Sequence, residues 1–290
     1  MAELENRDVS RFLTYVLEKR GVDLKGYRLN FMARRLLARL DRNKVKDIDA
    51  YIAVLDRDPA EWEAFLANLC INVSEFFRDP DVFGSFKKNC LGHLIKKAKA
   101  DNAELKIWSC GCSCGEESYS LAILISDYLR ENNIDCSFKV YATDVDVDAL
   151  VKARRGAYFH NALVNIDSGI LGRYFVFLPK GESRMEEDAW QVNASLKQLV
   201  SFEKHNIMSD SISSGFDAIF LRNVRIYFHG QKSRDVLADM YKALNDDGFL
   251  VLGKIESVSL KLRHLFKSVD AVNRIYKKSA PVDPGANGRI

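Results

Sequence analysis

The 290-residue sequence has no apolar run long enough to span a membrane, and its opening residues are not typical of an export signal. A membrane-spanning helix needs about 20 consecutive apolar residues. An export signal needs a basic segment followed by an apolar one, and the opening MAELENRDVS contains neither. We therefore expect a cytoplasmic protein that is not inserted into a membrane and whose six cysteines are reduced thiols.

Excess positive charge is also scarce, because 43 lysine and arginine residues face 40 aspartate and glutamate residues and leave a net charge of +3. Domains that bind nucleic acids are usually far more basic, so nucleic acid is not an expected partner. The chain is 47% hydrophobic and 29% charged. This composition is typical of a globular protein with one large domain or two smaller ones.

The spacing of the clustered cysteines argues against a metal site. Cys110, Cys112 and Cys114 alternate in the stretch SCGCSCGEESYSLAIL, and neither a second C-x-x-C pair nor a histidine cluster is present to complete a tetrahedral site. The sequence therefore predicts no bound metal. The three thiols are expected to serve as small, adaptable side chains.

The first 70 residues have helical periodicity without strand-like alternation. Apolar residues recur at spacings of three and four in two segments: Phe12, Leu13, Val16 and Leu17, then Leu29, Ala33, Leu36, Leu37 and Leu40. On the side of the second segment away from its leucines lies what we call the arginine stripe: Arg28, Arg35, Arg39 and Arg42. From these residues alone, the stripe is either a solvated polar face or a docking surface for an acidic partner.

From about residue 105, short β-rich runs alternate with amphipathic helical segments. The runs are LKIWS, FKVYATD, LVSFEKH, FDAIFL and GFLVLG, and their alternation with helices predicts a doubly wound α/β sheet. The pattern breaks between Phe159 and about Leu199, where two apolar runs flank a turn, as in an inserted hairpin. The predicted domains are a helical domain at 1–72, an α/β domain at 73–280 with an antiparallel β insert at about 160–198, and a disordered tail at 281–290.

The glycine- and cysteine-containing loop follows the first predicted strand and precedes a helix. In doubly wound sheets this position binds nucleotide-like ligands, and Gly111 and Gly115 let the backbone approach a ligand closely. Asp144 ends the second predicted strand, where a carboxylate can accept hydrogen bonds from both hydroxyls of a ribose. The loop lacks the G-x-G-x-x-G form of dinucleotide sites, which makes S-adenosylmethionine the better candidate.

Four motifs resemble, in order and spacing, those of the CheR family of chemotaxis receptor glutamate methyltransferases. They are NVSEFFRDPDVF, WSCGCSCGEESYSLAIL, ATDVDVDALVKARRGAY and FDAIFLRNVRIYF. The helical start, with YRLNFMARRLLARL, is similar to the amino-terminal domain of that family, and the resemblance covers roughly residues 9 to 277. It implies a methyltransferase that uses S-adenosylmethionine, releases S-adenosylhomocysteine, and methylates glutamates in the cytoplasmic helical domain of bacterial chemoreceptors.

The resemblance also implies which residues form the site. The cofactor-binding residues carried over by motif are Asn72, Ser74, Arg78, Glu117, Asp144, Asn206, Ile207, Arg222 and Asn223, and Gly111 of the loop joins them. Arg78 and Tyr227 fall at the positions of the reacting centre, and the arginine stripe falls on the helix that docks the acidic receptor. Without the resemblance, Arg78 could pair with Asp79 or Asp81, and Tyr227 could belong to a core. A monomer is the family-based expectation.

Several positions depart from the usual text of the family. Ser118 stands where proline is frequent, and Arg225 and Lys254 add positive charge near the expected site. Two alternatives therefore stay open: a methyltransferase of the same fold that acts on another protein or small molecule, and a cofactor-binding regulator without turnover.

Overall fold

The computed structural model describes residues 4–69, 74–181, 187–228 and 230–280, which pack as two compact units. The first unit comprises Met1–Ile71 and Val224–Asp235, and the second comprises Asn72–Asn223 and Val236–Ile290. The predicted disordered tail lies outside the described residues. No helix in the described part of the chain is both long and apolar enough to cross a membrane.

In the described part of the first unit, the apolar faces of four amino-terminal helices share one core. They are α1 (Asn6–Arg20), α2 (Leu29–Arg42), α3 (Ile48–Arg57) and α4 (Pro59–Leu69). Apolar side chains spaced three and four residues apart fall on one side of each helix, and the buried set includes Phe12, Met32, Leu36, Tyr51 and Phe65. The predicted all-helical start is confirmed.

A second chain segment completes this unit. Val224–Asp235, which contains the 3₁₀ turn Arg225–Tyr227, packs with the helices although about 150 residues separate it from them along the chain. An antiparallel bridge joins Tyr27 to Phe228, and the Arg28 N–H donates to the Tyr227 carbonyl at 2.9 Å.

The second unit is built on a seven-stranded sheet in the order β6-β2-β1-β7-β8-β10-β9. Its strands are β1 (Leu105–Cys110), β2 (Phe138–Asp144), β6 (Val200–Lys204), β7 (Phe216–Leu221), β8 (Leu244–Leu252), β9 (Phe266–Asp270) and β10 (Ile275–Lys278). The five neighbouring strands β6, β2, β1, β7 and β8 pair in parallel, and β10 pairs antiparallel with both β8 and β9. The predicted α/β sheet is confirmed, with two antiparallel strands added at one edge.

Helices precede, connect and follow these strands. They are α5 (Pro80–Phe86), α6 (Gly92–Ala100), α7 (Glu116–Glu131), α8 (Val147–Arg155), α9 (Ser168–Tyr174), α10 (Ala194–Lys197) and α11 (Gly230–Ala243), with a π-helical turn at Lys87–Leu91 between α5 and α6. Helix α11 carries the chain from the first unit into the second. Because β6, β2, β1, β7 and β8 run parallel, their carboxyl ends meet at one edge of the sheet.

A separate antiparallel sheet interrupts the alternation. Strands β3 (Ala157–Tyr158), β4 (Phe175–Leu178) and β5 (Ala189–Val192) pair in the order β3-β5-β4. The predicted inserted hairpin is present as β4 and β5, and the sequence did not indicate that the short β3 adds a third strand.

Candidate functional site

The loop between β1 and α7 is held against the end of β2 by its backbone. The N–H groups of Gly111 and Cys112 both donate to the Thr143 carbonyl, at 2.8 and 2.9 Å. Gly111, Ser113 and Gly115 have φ angles of 75°, 50° and 95°, in the left-handed region that favours glycine. The non-glycine residue among them is held in a conformation that costs free energy, a feature that clusters at functional sites.

Gly115 is required by the space around it as well as by its φ. A Cβ at this position would lie 3.0 Å from both the Ala153 Cβ and the Tyr158 hydroxyl oxygen. The Tyr158 hydroxyl in turn donates to the Cys114 carbonyl at 2.6 Å. The loop therefore enters α7 in close contact with α8 and the insert, and its path is fixed.

Asp144 lies at the end of β2 with its carboxylate turned to this loop. Its Oδ2 accepts the Ser113 N–H at 2.8 Å and its Oδ1 accepts the Asp146 N–H at 2.9 Å. The residue is buried, and burial raises the pKa of Asp144 although both N–H groups favour the ionised form. Each carboxylate oxygen has a further lone pair, so Asp144 can hold the loop and still accept a hydroxyl.

Glu117 and the buried Arg222 form a charged pair in the site. Arg222 Nη1 lies 3.1 Å from Glu117 Oε2, and the Ser109 hydroxyl donates to Glu117 Oε1 at 2.9 Å. Burial raises the pKa of Glu117, and the positive charges of Arg222 and Arg78 act in the opposite direction. The pair joins the first turn of α7 to the end of β7.

Arg222 also holds the segment that precedes α5. Its Nη2 donates to the Arg78 carbonyl at 2.8 Å and to Asp79 Oδ2 at 2.6 Å. Its guanidinium carbon lies 5.4 Å from the centroid of the Phe83 ring. Since the Arg222 side chain is only 2% exposed, this one residue connects three of the motifs found in the sequence.

The turn around Arg78 is constrained from several directions. Phe77 and Asp79 have φ angles of 50° and 59°, and the Phe77 N–H donates to the Ser120 hydroxyl at 2.9 Å. Ser74 lies in the same described segment. The predicted cofactor residue Asn72 lies outside the described residues.

A buried glutamate that the sequence did not identify fixes Asn223. Glu256 Oε2 accepts the N–H groups of both Asn223 and Gly253 at 2.8 Å, and Asn223 has a φ of 59°. A Cβ on Gly253 would lie 2.5 Å from Asn223 Oδ1, so only glycine fits there. In the sequence, this glutamate belongs to the stretch GKIES at 253–257, where it resembles an ordinary surface residue.

Lys254 lies in the same turn, and its charge is paired. Its Nζ lies 2.8 and 2.7 Å from the two oxygens of the Asp81 carboxylate. With Asp79 held by Arg222, both carboxylates considered as partners for Arg78 have other cationic partners. The additional positive charge at Lys254 is therefore balanced locally.

Asn206 and Ile207 follow β6 in a tight turn. Asn206 Oδ1 accepts the Met208 N–H at 3.0 Å, and Asp210 Oδ2 accepts the Asn206 N–H at 2.8 Å. The preceding His205 N–H donates to the Asp144 carbonyl at 3.0 Å. The structure thus places this pair next to the end of β2, at the same sheet edge as the loop.

The cysteines of the loop have the environment of structural thiols. Cys110 and Cys112 are buried, and burial raises the pKa of both and, to a smaller extent, that of Cys114. Among the described residues, no group of three or more histidine, cysteine, aspartate or glutamate side chains could hold a metal ion.

In the first unit, the arginine stripe is not one exposed face. Arg39 is 8% exposed, and its guanidinium makes two hydrogen bonds to the Glu61 carboxylate. The prediction that Arg39 lies with the other three on a surface is therefore wrong, because a carboxylate in α4 holds it inside. Arg28 and Arg42 are exposed, and the half-buried Arg35 lies over the Phe31 ring at 5.1 Å.

Tyr227 lies against α2 in this unit. Its ring centroid is 4.7 Å from that of Phe31, and the two planes are inclined at 36°. Two residues before it, the buried Arg225 donates to the Ser233 hydroxyl at 3.0 Å. The structure thus groups Tyr227 with the arginine helix.

Both units match models of known protein families. Residues 72–275 match the family model described as the S-adenosylmethionine-binding domain of CheR methyltransferases, and residues 7–70 match the model of their all-alpha domain. Chemotaxis protein methyltransferases match most of the chain. That of Borreliella burgdorferi is 30% identical over 87% of this chain and 88% of its own, and that of Salmonella typhimurium is 30% identical over 96% and 93%.

Proposed function

The chain belongs to the CheR methyltransferase family, and from that premise we propose that it esterifies glutamate side chains in the helical cytoplasmic domain of chemoreceptors. The chain is an S-adenosylmethionine-dependent methyltransferase of chemotaxis. The glutamate acceptor and the roles of individual residues are the proposed part. The acceptor follows from the family, and the residue roles rest on the position of Arg222, which ties the Arg78 turn to Glu117 in one network.

The residues at the sheet edge fit the chemistry of the cofactor. The left-handed turn from Gly111 to Gly115 presents small residues and backbone, which a nucleoside can approach closely. Asp144 has the carboxylate that ribose hydroxyls require, and Glu117 provides a second carboxylate within reach of the same loop. We assign cofactor binding to the ten predicted positions from Asn72 to Asn223.

The acceptor needs no strong general base. A glutamate with a pKa of about 4.3 is ionised roughly 500 to 1 at pH 7. When bound, S-adenosylmethionine supplies a sulfonium methyl that a carboxylate oxygen takes in one displacement, while the electron pair of the broken S–C bond stays on sulfur. The protein must therefore orient the carboxylate and remove water from it.

Arg78 and Tyr227 suit this orienting task. The guanidinium of Arg78 is a fixed cation that can bind carboxylate oxygens, and the phenol of Tyr227 is a neutral donor that can position the acceptor. The backbone of Arg78 is fixed by Arg222, and the backbone of Tyr227 is fixed by Arg28. Neither residue takes a proton in this scheme.

Receptor docking is assigned to the arginine stripe without Arg39. Arg28 and Arg42 are exposed, and Arg35 is half-buried with its guanidinium over Phe31. An acidic receptor helix would associate faster with this positive surface, and the association rate would fall as the salt concentration rises. We further propose that the protein acts in the cytoplasm as a monomer made of the helical domain 1–72 and the methyltransferase domain 73–280.

The decisive experiment transfers a tritiated methyl group from S-adenosylmethionine to membranes that contain unmethylated chemoreceptors. Base-labile release of labelled methanol from the receptor band is the expected result, because carboxyl methyl esters hydrolyse in base. A matched sample with receptors whose methylation glutamates are alanine controls for other acceptors. Base-stable label, or label in both samples, would assign a different acceptor. Calorimetric binding of S-adenosylhomocysteine without any transfer would indicate a regulator.

A further inference from the structure

The aromatic surface around Tyr227 is built entirely within the helical unit. The Phe31 ring lies between the Tyr27 ring, at 5.6 Å and 19°, and the Tyr227 ring, at 4.7 Å. The Tyr27 ring also meets the edge of Phe228 at 5.4 Å. We call Tyr27, Phe31, Tyr227 and Phe228 the aromatic clamp.

Backbone contacts hold the same residues from the other side. Tyr27 and Phe228 form an antiparallel bridge, and the Tyr227 carbonyl accepts the Arg28 N–H at 2.9 Å. The Arg28 side chain reaches the Phe228 carbonyl at 3.4 Å. The entrance to α2 thus holds the carbonyls of Tyr227 and Phe228, while the ring of Phe31 packs against the Tyr227 side chain.

From this arrangement we propose that Phe31 is a positioning residue for methyl transfer, and that it acts by fixing the ring of Tyr227. This inference rests on the proposed role of Tyr227. Phe31 itself is 4% exposed, so it has almost no surface for the acceptor, and its effect passes through the ring that it packs against. The polar end of a tyrosine is set by the plane and depth of its ring, and Phe31 packs against that ring in Tyr227.

The clamp also joins Tyr227 to the proposed docking surface. The Arg35 guanidinium carbon lies 5.1 Å from the centroid of the same Phe31 ring. Phe31 therefore contacts a docking arginine and the proposed catalytic tyrosine at once. A misplaced group costs rate rather than binding, because a displacement of about 1 Å can lower turnover roughly 100-fold.

The test compares Phe31→Leu with Phe65→Leu, which removes an equally buried ring from the same core. Phe65 packs against Phe12 and Trp62 at 5.1 and 5.7 Å, away from the clamp. Both variants exchange an aromatic ring for a leucine, so a general loss of core packing should affect them alike. Tyr27→Phe keeps the ring that stacks on Phe31 and serves as a conservative change within the aromatic clamp.

Two measurements decide the outcome. Amide hydrogen exchange in the segment 224–228 should accelerate about tenfold in Phe31→Leu and stay unchanged in Phe65→Leu and Tyr27→Phe. In the receptor assay, Phe31→Leu should lower kcat about 10- to 100-fold, with S-adenosylhomocysteine affinity within about twofold of wild type.

Each contrary result has a distinct meaning. Equal acceleration in Phe31→Leu and Phe65→Leu, or none in either, would overturn the positioning role, because the segment would then follow the stability of the unit as a whole. Normal kcat in Phe31→Leu would also overturn it. If the wild-type protein transfers no methyl to receptors, the proposed acceptor is wrong, and the exchange comparison still decides whether Phe31 fixes Tyr227.

Discussion

Arg39 donates two hydrogen bonds to Glu61, from Nε to Oε1 at 2.8 Å and from Nη2 to Oε2, inside the core of the helical unit. The Tyr51 hydroxyl donates to Glu61 Oε1 at 2.7 Å and completes the network. Burial raises the pKa of Glu61, and the hydrogen bonds from Arg39 and Tyr51 outweigh it, so the net shift is downward. The carboxylate therefore stays ionised, and α2 is tied to α3 and α4.

Glu61→Gln should lower the free energy of unfolding of the helical unit by about 3–5 kcal/mol, because it leaves the Arg39 charge buried without a counter-ion. Asp49→Asn is the matched control: its partner Arg11 lies 3.2 Å away on the surface, and its loss should cost under about 1 kcal/mol. Urea unfolding followed by circular dichroism measures both. Equal losses would show that burial does not strengthen the Arg39 pair.

Arg222→Lys should weaken S-adenosylhomocysteine binding about tenfold or more. A lysine ammonium is a single point charge and cannot bond Glu117, Asp79 and the Arg78 carbonyl together as the planar guanidinium does. Calorimetry gives the affinity. Lys254→Met, which removes the exposed partner of Asp81, is the control and should bind S-adenosylhomocysteine as the wild type does. Unchanged affinity in Arg222→Lys would remove the network from the cofactor site.

Cofactor binding should weaken on acidification at a higher pH than ordinary carboxylates would cause. Burial raises the pKa of both Asp144 and Glu117, so each takes up its proton before a solvated carboxylate does. As pH falls through these raised values, the acceptors for the ribose hydroxyls and for Arg222 are lost. S-adenosylhomocysteine titrations from pH 8 to pH 5 should show the decline, and a flat profile would indicate that neither carboxylate binds in its ionised form.

Arg35→Gln with Arg42→Gln should raise the KM for receptor and flatten its dependence on ionic strength, while kcat stays within about twofold. Arg34→Gln with Arg57→Gln removes the same charge elsewhere in the helical unit and serves as control. Kinetics at low and high salt separate the two pairs. Identical salt dependence in both would mean that net charge, rather than the arginine stripe, attracts the receptor.

Arg78→Ala should lower kcat about 100-fold, because the acceptor carboxylate would no longer be held in line with the methyl group. Tyr227→Phe should lower it about tenfold, the value of one hydrogen bond of roughly 1.4 kcal/mol. Calorimetry with S-adenosylhomocysteine must accompany the methyl-transfer assay, because Arg78 is also a proposed cofactor residue. Near wild-type transfer by either variant would exclude that side chain from the mechanism.

The parallel sheet was predictable because strands buried on both faces appear as apolar runs. LKIWS and FKVYATD correspond to β1 and β2 to within one residue. Strands β9 and β10 were not predicted, because FKSVD is the edge strand with three of its five residues exposed, and the four-residue IYKK is too short and lysine-rich to form an apolar run.

The parts of the site that escaped prediction depend on partners distant in sequence. Glu256 is a buried acceptor only because Asn223, 33 positions away, turns its N–H toward it. Arg39 has the spacing of a surface residue, and only the position of α4 reveals the carboxylate that buries it. Periodicity indicates which face of a helix a residue occupies, but it carries no information about a charged partner on another helix.

The return of Val224–Asp235 to the helices has a practical consequence for anyone who divides this protein. A single cut after residue 72 does not separate the compact units, since Tyr227 and Phe228 would leave Tyr27 and Phe31 behind. The fragment 73–280 would expose two aromatic rings that are normally covered, and the fragment 1–72 would expose their counterparts. A helical unit prepared in isolation should therefore carry residues 224–235 on a linker, and swapping amino-terminal helices between homologues should exchange that segment as well.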